Sequence, residues 1–212
     1  AQQTWDIYRK VMDSDVYHIM SEHTQQALML LLKAAISKHP NWLHGEEIPE
    51  LNREEWRQLF IYGCHEQLEH VIKQGIRVMG IKEPLIDVSE VQAYFPADYQ
   101  PVKTISETIG NKFVSENKRL LATFKYLHRL HTAQQMGMAH LVELTREIRE
   151  HDIDEEQLEE ILQEEKLLPF AQRLMGLLGT LDLREEGMMP REAIDDKQTL
   201  KMETNITDRL KI

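Results

Sequence analysis

Cysteine is nearly absent from this chain of 212 residues, and turn-forming residues are scarce: the sequence has one Cys, nine Gly and seven Pro. A single cysteine excludes an intrachain disulfide framework and any structural zinc site built from four thiolates. The rest of the composition is that of a globular protein, because 42% of the residues are hydrophobic and 29% are charged. A chain of this length is expected to form one domain, or two, around a substantial core.

Basic residues and long apolar runs are also in short supply. There are 25 Lys and Arg against 36 Asp and Glu, a net charge of −11, which argues against nucleic acid or an anionic membrane as the main partner. The longest apolar run, Ala27–Leu32, is far shorter than the about 20 residues that span a bilayer. The first residues lack the pattern of a signal peptide, and together with the single thiol this predicts a cytoplasmic protein without a membrane partner.

Familiar catalytic motifs are missing as well. The sequence contains no P-loop, no G-x-G-x-x-G and no G-x-S-x-G, so phosphate chemistry by those routes and α/β-hydrolase chemistry are not supported. The lone thiol, Cys64, precedes His65, but adjacent side chains on a helix diverge by about 100°. We therefore expect Cys64 to be a buried structural residue. Whether the chain is an enzyme stays open at this point.

Hydrophobic residues recur three and four positions apart along nearly the whole chain, which predicts helices, whereas strand-like alternation is almost absent. We therefore predict an all-α protein, a bundle of four to six helices. The predicted helices cover residues 15–38, 53–79, 105–150 and 154–166, followed by a short fifth helix that ends near Gly179. The third is unusually long, so a break at 132–137 is as much expected as one continuous helix.

Local signals support several of these boundaries. Asn52 and Thr104 are each followed three residues later by a Glu, which is the pattern of a capping box. Asp154 is followed by Gln157 at the same spacing, and Gly80 is well placed to end the second helix.

The chain is expected to divide into a helical bundle domain over residues 1–179 and an extended C-terminal segment over 180–212. Between the second and third helices lies a long connector, 81–103, with three prolines, which is expected to cross the bundle or form a functional flap. Apolar residues are sparse in the segment 180–212. If ordered, it must rest on the bundle, on a second subunit or on another protein.

Four polar residues fall on the inward faces of the predicted helices: His65 and Glu69 on the second, and His128 and His131 on the third, with His23 at the edge of the first. Imidazole and carboxylate groups spaced three or four residues apart can hold Fe, Mn or Zn inside a helix bundle. One hypothesis is therefore a metal-binding four-helix bundle with a ferritin-like layout, acting as an oxidase or in metal storage. The spacings depart from the strict ferritin-like ligand pattern.

The same histidines can be satisfied without a metal, because Asn117 and Gln135 lie on the same predicted face and can hydrogen-bond to them.

The other hypothesis is a non-enzymatic interaction or accessory protein that works in a homo-oligomer or with a protein partner. Residues 152–165 carry eight acidic side chains and no basic one, which gives a candidate docking face for a basic partner. The segment 180–212 would contribute to the same contact. The first helix is apolar on its back as well, at Met29 and Ile36, and this predicts contact with a second layer or a subunit.

Overall fold

The computed structural model describes residues 20–38, 45–82, 84–95, 97–110, 113–181, 183–184 and 190–207. These residues form α-helices and no strand, so the all-α prediction is confirmed. The helices are α1 (Glu22–Ser37), α2 (Arg53–His65), α3 (Glu69–Val78), α4 (Val88–Gln92), α5 (Ile105–Ile109), α6 (Glu116–Thr132), α7 (Met138–Glu150), α8 (Glu155–Glu164), α9 (Leu168–Thr180) and α10 (Lys197–Thr207). Ten helices in the described residues exceed the predicted four to six.

The first reason is that the predicted helix over 53–79 is two helices. Gln67 adopts a left-handed backbone with φ of 57°, and the Leu68 N–H bonds to the Gly63 carbonyl at 2.7 Å, which ends α2. A non-glycine residue in this region of backbone space costs of order 1 kcal/mol, and tertiary packing must compensate. No glycine or proline marks the break, and the apolar spacing runs through it.

The second reason is that the predicted helix over 105–150 is three helices. The break at 132–137 is confirmed, with Gln134 in the left-handed region at φ of 56°. A further break follows α5 at Gly110, where φ is 69°, a value that glycine adopts without a steric penalty. The predicted capping boxes that start at Asn52 and Thr104 are both present.

The core is centred on α1, which packs against α2, α3 and α7. Every residue from Leu30 to Ser37 is buried, so the apolar back of this helix is covered within the chain, in its described part. Its approach to α3 is close at Gly75: a Cβ added there would lie 2.2 Å from the Leu31 carbonyl oxygen. Residues 15–19, with which the first predicted helix begins, lie outside the described residues.

The connector over 81–103 contains α4 and an aromatic stack. The rings of Phe95 and Tyr99 are stacked with their centroids 4.3 Å apart, and Tyr94 meets Phe95 edge-on at 5.4 Å. The Val102 N–H bonds to the His65 carbonyl at 2.9 Å and so attaches the connector to the end of α2.

The described part of the C-terminal segment is not extended as predicted, because it contains α10, and it packs on α9 of the same chain. Three side chains of α10 are almost fully buried: Thr199, Met202 and Ile206. Asp196 accepts hydrogen bonds from the backbone at the start of α10 and from Arg173 of α9, and Arg173 first and the backbone second hold the pKa of that carboxyl well below its usual range. The division into domains at residue 179 stays a prediction.

Within the part of the chain that the structure describes, no helix is both long enough and apolar enough to cross a membrane.

Candidate functional site: a groove with an apolar floor and a basic rim

The predicted metal ligands of the second helix have different neighbours. The imidazole of His65 hydrogen-bonds through Nδ1 to the hydroxyl of Tyr99. Glu69 accepts a hydrogen bond from Lys73 Nζ at 2.6 Å and one from Cys64 Sγ at 3.6 Å. Because the chain breaks between α2 and α3, His65 and Glu69 lie on separate helices, and the spacing of one helical turn assumed for them does not apply.

The other two predicted ligands, His128 and His131, both pack on one aromatic ring. Their ring centroids lie 4.9 Å and 5.7 Å from that of Phe170. His131 is half-buried, and its pKa is lowered by burial first and by the neighbouring His128 second. His128 is exposed, so the prediction that it points into the core is wrong. Leu127 is the last fully buried residue of α6, and both imidazoles lie beyond it at the helix end.

Among the described residues, no group of three or more His, Cys, Asp and Glu side chains is placed to hold a metal ion. The iron, manganese or zinc site of His65, Glu69, His128 and His131 stays a prediction that gains no support from the geometry. His23 lies 3.2 Å from a carboxylate oxygen of Glu55.

A buried polar cluster that was not predicted from the sequence lies at the start of α7. Glu66 is completely buried, and its Oε2 accepts the Ala139 N–H at 2.7 Å. His140, also buried, accepts the Gly137 N–H on Nδ1 at 3.0 Å and lies 3.0 Å from the Lys103 carbonyl on Nε2, so it is a neutral imidazole that donates from Nε2. Gly137 is the one sequence feature that could have indicated this cluster. A helix that starts after a glycine has no side-chain cap of its own, so other residues must accept its first N–H groups.

The surroundings of the single thiol, Cys64, determine its reactivity. Cys64 is half-buried, and burial, followed by the negative charge of Glu69, raises its pKa to about 11. The thiol is thus protonated at neutral pH and is a poor nucleophile, although it is half-buried and not buried as expected.

A reactivity measurement checks this. With a folded pKa of about 11 against an ordinary value of 9.0, the thiolate fraction at pH 8 falls about 100-fold. We expect Cys64 to react with iodoacetamide about 100-fold more slowly in the folded chain than in the urea-unfolded chain. Glu69→Gln should speed the folded reaction, whereas Glu54→Gln, on the exposed side of α2, should not. Equal rates in the folded and unfolded chains would contradict the assignment.

The acidic run over 152–165 is only partly free to dock a partner. The guanidinium of Arg191, from the C-terminal segment, pairs with Glu155 and Glu159, and Lys125 pairs with Glu165 at 2.7 Å. Within the described part of the chain, the acidic residues of the run that form no ion pair and cap no helix are Asp152, Glu156, Glu160 and Glu164.

A groove of about 840 Å³ lies between α5, α6 and the turn that joins α8 to α9. Its apolar lining consists of Ile109, Phe113, Ala122 and Leu167. Its basic lining consists of Lys125, His128, Arg129 and Lys166. The one acidic residue in the lining, Glu165, is already paired with Lys125.

The charge of this groove is opposite to that of the protein. Three cations line it, Lys125, Arg129 and Lys166, against one acid, Glu165, although the chain as a whole has a net charge of −11. The guanidinium of Arg129 lies 5.7 Å from the centroid of the Tyr126 ring, a cation–π contact that holds it in place on α6. Beside the groove, Val114 is 90% exposed. The arrangement can accept a ligand that presents apolar side chains together with negative charge.

No protein-family model, curated protein or solved structure matches the chain.

Proposed function

We propose that this chain is a non-enzymatic helical interaction protein, an accessory subunit that binds an acidic amphipathic helix of a protein partner in the groove beside α6. One observation carries the proposal: an apolar floor and three cations, Lys125, Arg129 and Lys166, share one groove on a protein of net charge −11. Burial of the partner's apolar face would supply affinity, and the basic rim would supply orientation and rate of association.

A helix is the form of partner that suits this groove. Lys125 and Arg129 are four residues apart on α6 and so lie along one side of it. A partner helix that places apolar residues at i, i+3, i+4 and i+7 on the floor would bring acidic residues on its flank to these two cations. Nucleic acid is a less suitable ligand, because the net negative charge of the protein repels its phosphates and the apolar floor has no partner for them.

The test uses a synthetic helical peptide with Leu at i, i+3, i+4 and i+7 and Glu at the flanking positions, measured by fluorescence anisotropy. We expect saturable binding that weakens as salt is added. The double variant Lys125→Glu/Arg129→Glu should weaken it by about tenfold or more. The matched control, Lys82→Glu/Lys197→Glu, makes the same charge change at two exposed sites elsewhere and should bind as the parent does. Ala122→Gln, which fills the floor without adding charge, should weaken binding at every salt concentration.

Three results would overturn the proposal. The first is an absence of saturable binding. The second is equal loss in the rim variant and its control, since this would show a general charge effect. The third is self-association of the parent chain, seen by sedimentation, that the rim variant abolishes and the peptide cannot displace. In that case the occupant is a second copy, whose exposed α8 carboxylates meet the rim.

A further inference from the structure

A second cavity, of about 420 Å³, lies between the C-terminal end of α1, α3 and α7. Its lining consists of Ala35, Ile36, Lys38, Gln74, Arg146, Arg149 and Glu150. Three of these side chains are cations and one is an acid, Glu150, which pairs with Lys38 at 3.7 Å. The cavity therefore carries a local positive charge on an acidic protein.

Arg146 is the central cation of this cavity, and its partners are neutral. It is half-buried; Nη1 donates to His70 Nε2 at 3.2 Å and Nη2 to Gln74 Oε1 at 3.0 Å. Burial first, and the Arg146 charge second, lower the pKa of His70, so that imidazole is neutral at pH 7. Among the described residues Arg146 forms no ion pair, although a guanidinium half out of water is stabilised most by a carboxylate or a phosphate.

The three carboxylates of α7 that flank Arg146 along the helix are engaged elsewhere, and one of them, Glu150, pairs with Lys38. Glu143 accepts the Ile105 N–H at 2.6 Å and the Ser106 hydroxyl at 2.8 Å. Glu147 is bonded to Arg119 and Thr123. The acids of α7 therefore bond to neighbouring helices, and in the described part of the chain they leave the Arg146 charge without a counter-ion of its own.

The guanidinium is also held in a fixed orientation. The side-chain amide of Gln74 donates from Nε2 to the Ala35 carbonyl at 3.2 Å, and this turns its Oε1 toward Arg146. A cation positioned before a ligand arrives binds with a smaller loss of side-chain entropy.

We propose that this cavity binds a small phosphate-bearing molecule, with Arg146 as the main contact and Lys38 and Arg149 as flanking cations. The planar guanidinium matches two phosphate oxygens, and the phosphate would supply the missing counter-charge. A concave cavity of about 420 Å³ is of the size that holds a small metabolite. This site is formed by other helices than the groove of the proposed function, so the result of testing one does not bear on the other.

Isothermal titration with inorganic phosphate and with pyrophosphate, at constant ionic strength set by KCl, tests the site. We expect saturable binding, stronger for pyrophosphate, that Arg146→Gln weakens by about tenfold or more. Lys38→Gln, at an exposed position that leaves the fold intact, should weaken it severalfold. The control is Arg57→Gln, because Arg57 is an arginine already bound to its own carboxylate, Glu54.

Absence of saturable binding of both phosphates by the parent chain would overturn the proposal. Equal weakening by Arg57→Gln would overturn it too, since it would show general charge screening. So would citrate binding more tightly than pyrophosphate, since the cavity would then be a carboxylate site.

Discussion

Replacing Gly75 by alanine is expected to lower the free energy of unfolding by about 3 kcal/mol. The added Cβ would lie 2.2 Å from the carbonyl oxygen, 2.8 Å from the carbonyl carbon and 3.0 Å from the Cα of Leu31. All three are backbone atoms in the middle of α1, so no side chain can rotate to make room. α1 and α3 would have to move apart, and the core between them would loosen.

Urea denaturation followed by circular dichroism measures this effect. Gly63→Ala serves as the comparison, because its closest contact would be the flexible end of the Ile72 side chain, at 2.8 Å, and its backbone contacts begin at 3.3 Å. We expect its cost to be clearly smaller. An unchanged unfolding midpoint for Gly75→Ala would mean that α1 and α3 do not pack backbone to backbone.

Removal of the buried carboxylate of Glu66 is expected to have the second large effect. Glu66→Ala should cost about 3 kcal/mol, because it leaves the Ala139 N–H at the start of α7 without its acceptor and opens a cavity. Glu66→Gln keeps an acceptor oxygen for this N–H and fills most of the same volume, so it should cost about half as much.

Hydrogen exchange shows which part of the structure loses stability in Glu66→Ala, as well as how much stability is lost. Amides in the first turn of α7 should exchange faster in Glu66→Ala, in step with the loss of stability. Glu54→Ala, which removes a carboxylate exposed on α2, should leave these amides unchanged. Full protection of the first turn of α7 in Glu66→Ala would show that another group caps this helix.

Features encoded locally could be predicted from the sequence. The capping boxes at Asn52 and Thr104 are present, and α8 starts after Asp154 as expected, because a cap depends on residues within one turn. The break at Gln67 could not be predicted, since the contacts of this left-handed glutamine are distant in sequence: its Nε2 donates to the Val102 carbonyl at 2.9 Å and to Glu107 at 3.1 Å. The count of helices was wrong because of this break, because of the further break at Gly110, and because α4 and α10 lie in segments that were not predicted to be helical.

The candidate site could not be predicted because it is not contiguous. Its lining comes from residues 108–109, 113, 122–129 and 165–167, which meet only in the folded chain. His128 follows the buried Phe124 by one turn of α6, so its face was predicted from the correct spacing. It is exposed because α6 continues past the core after Leu127, and where a helix leaves the core is not encoded in its spacing. The acidic run over 152–165 was predicted to be a free docking face. Its pairing with Arg191 could not be predicted, because Arg191 lies beyond α9 and meets α8 only in the folded chain.

Amide chemical shifts of the labelled chain, followed during titration with the Glu/Leu peptide, test most directly whether the groove beside α6 binds an acidic amphipathic helix. The structure predicts that the perturbed amides cluster in residues 108–109, 113, 122–129 and 165–167. Perturbations confined to other surfaces, or spread evenly over the helices, would contradict it.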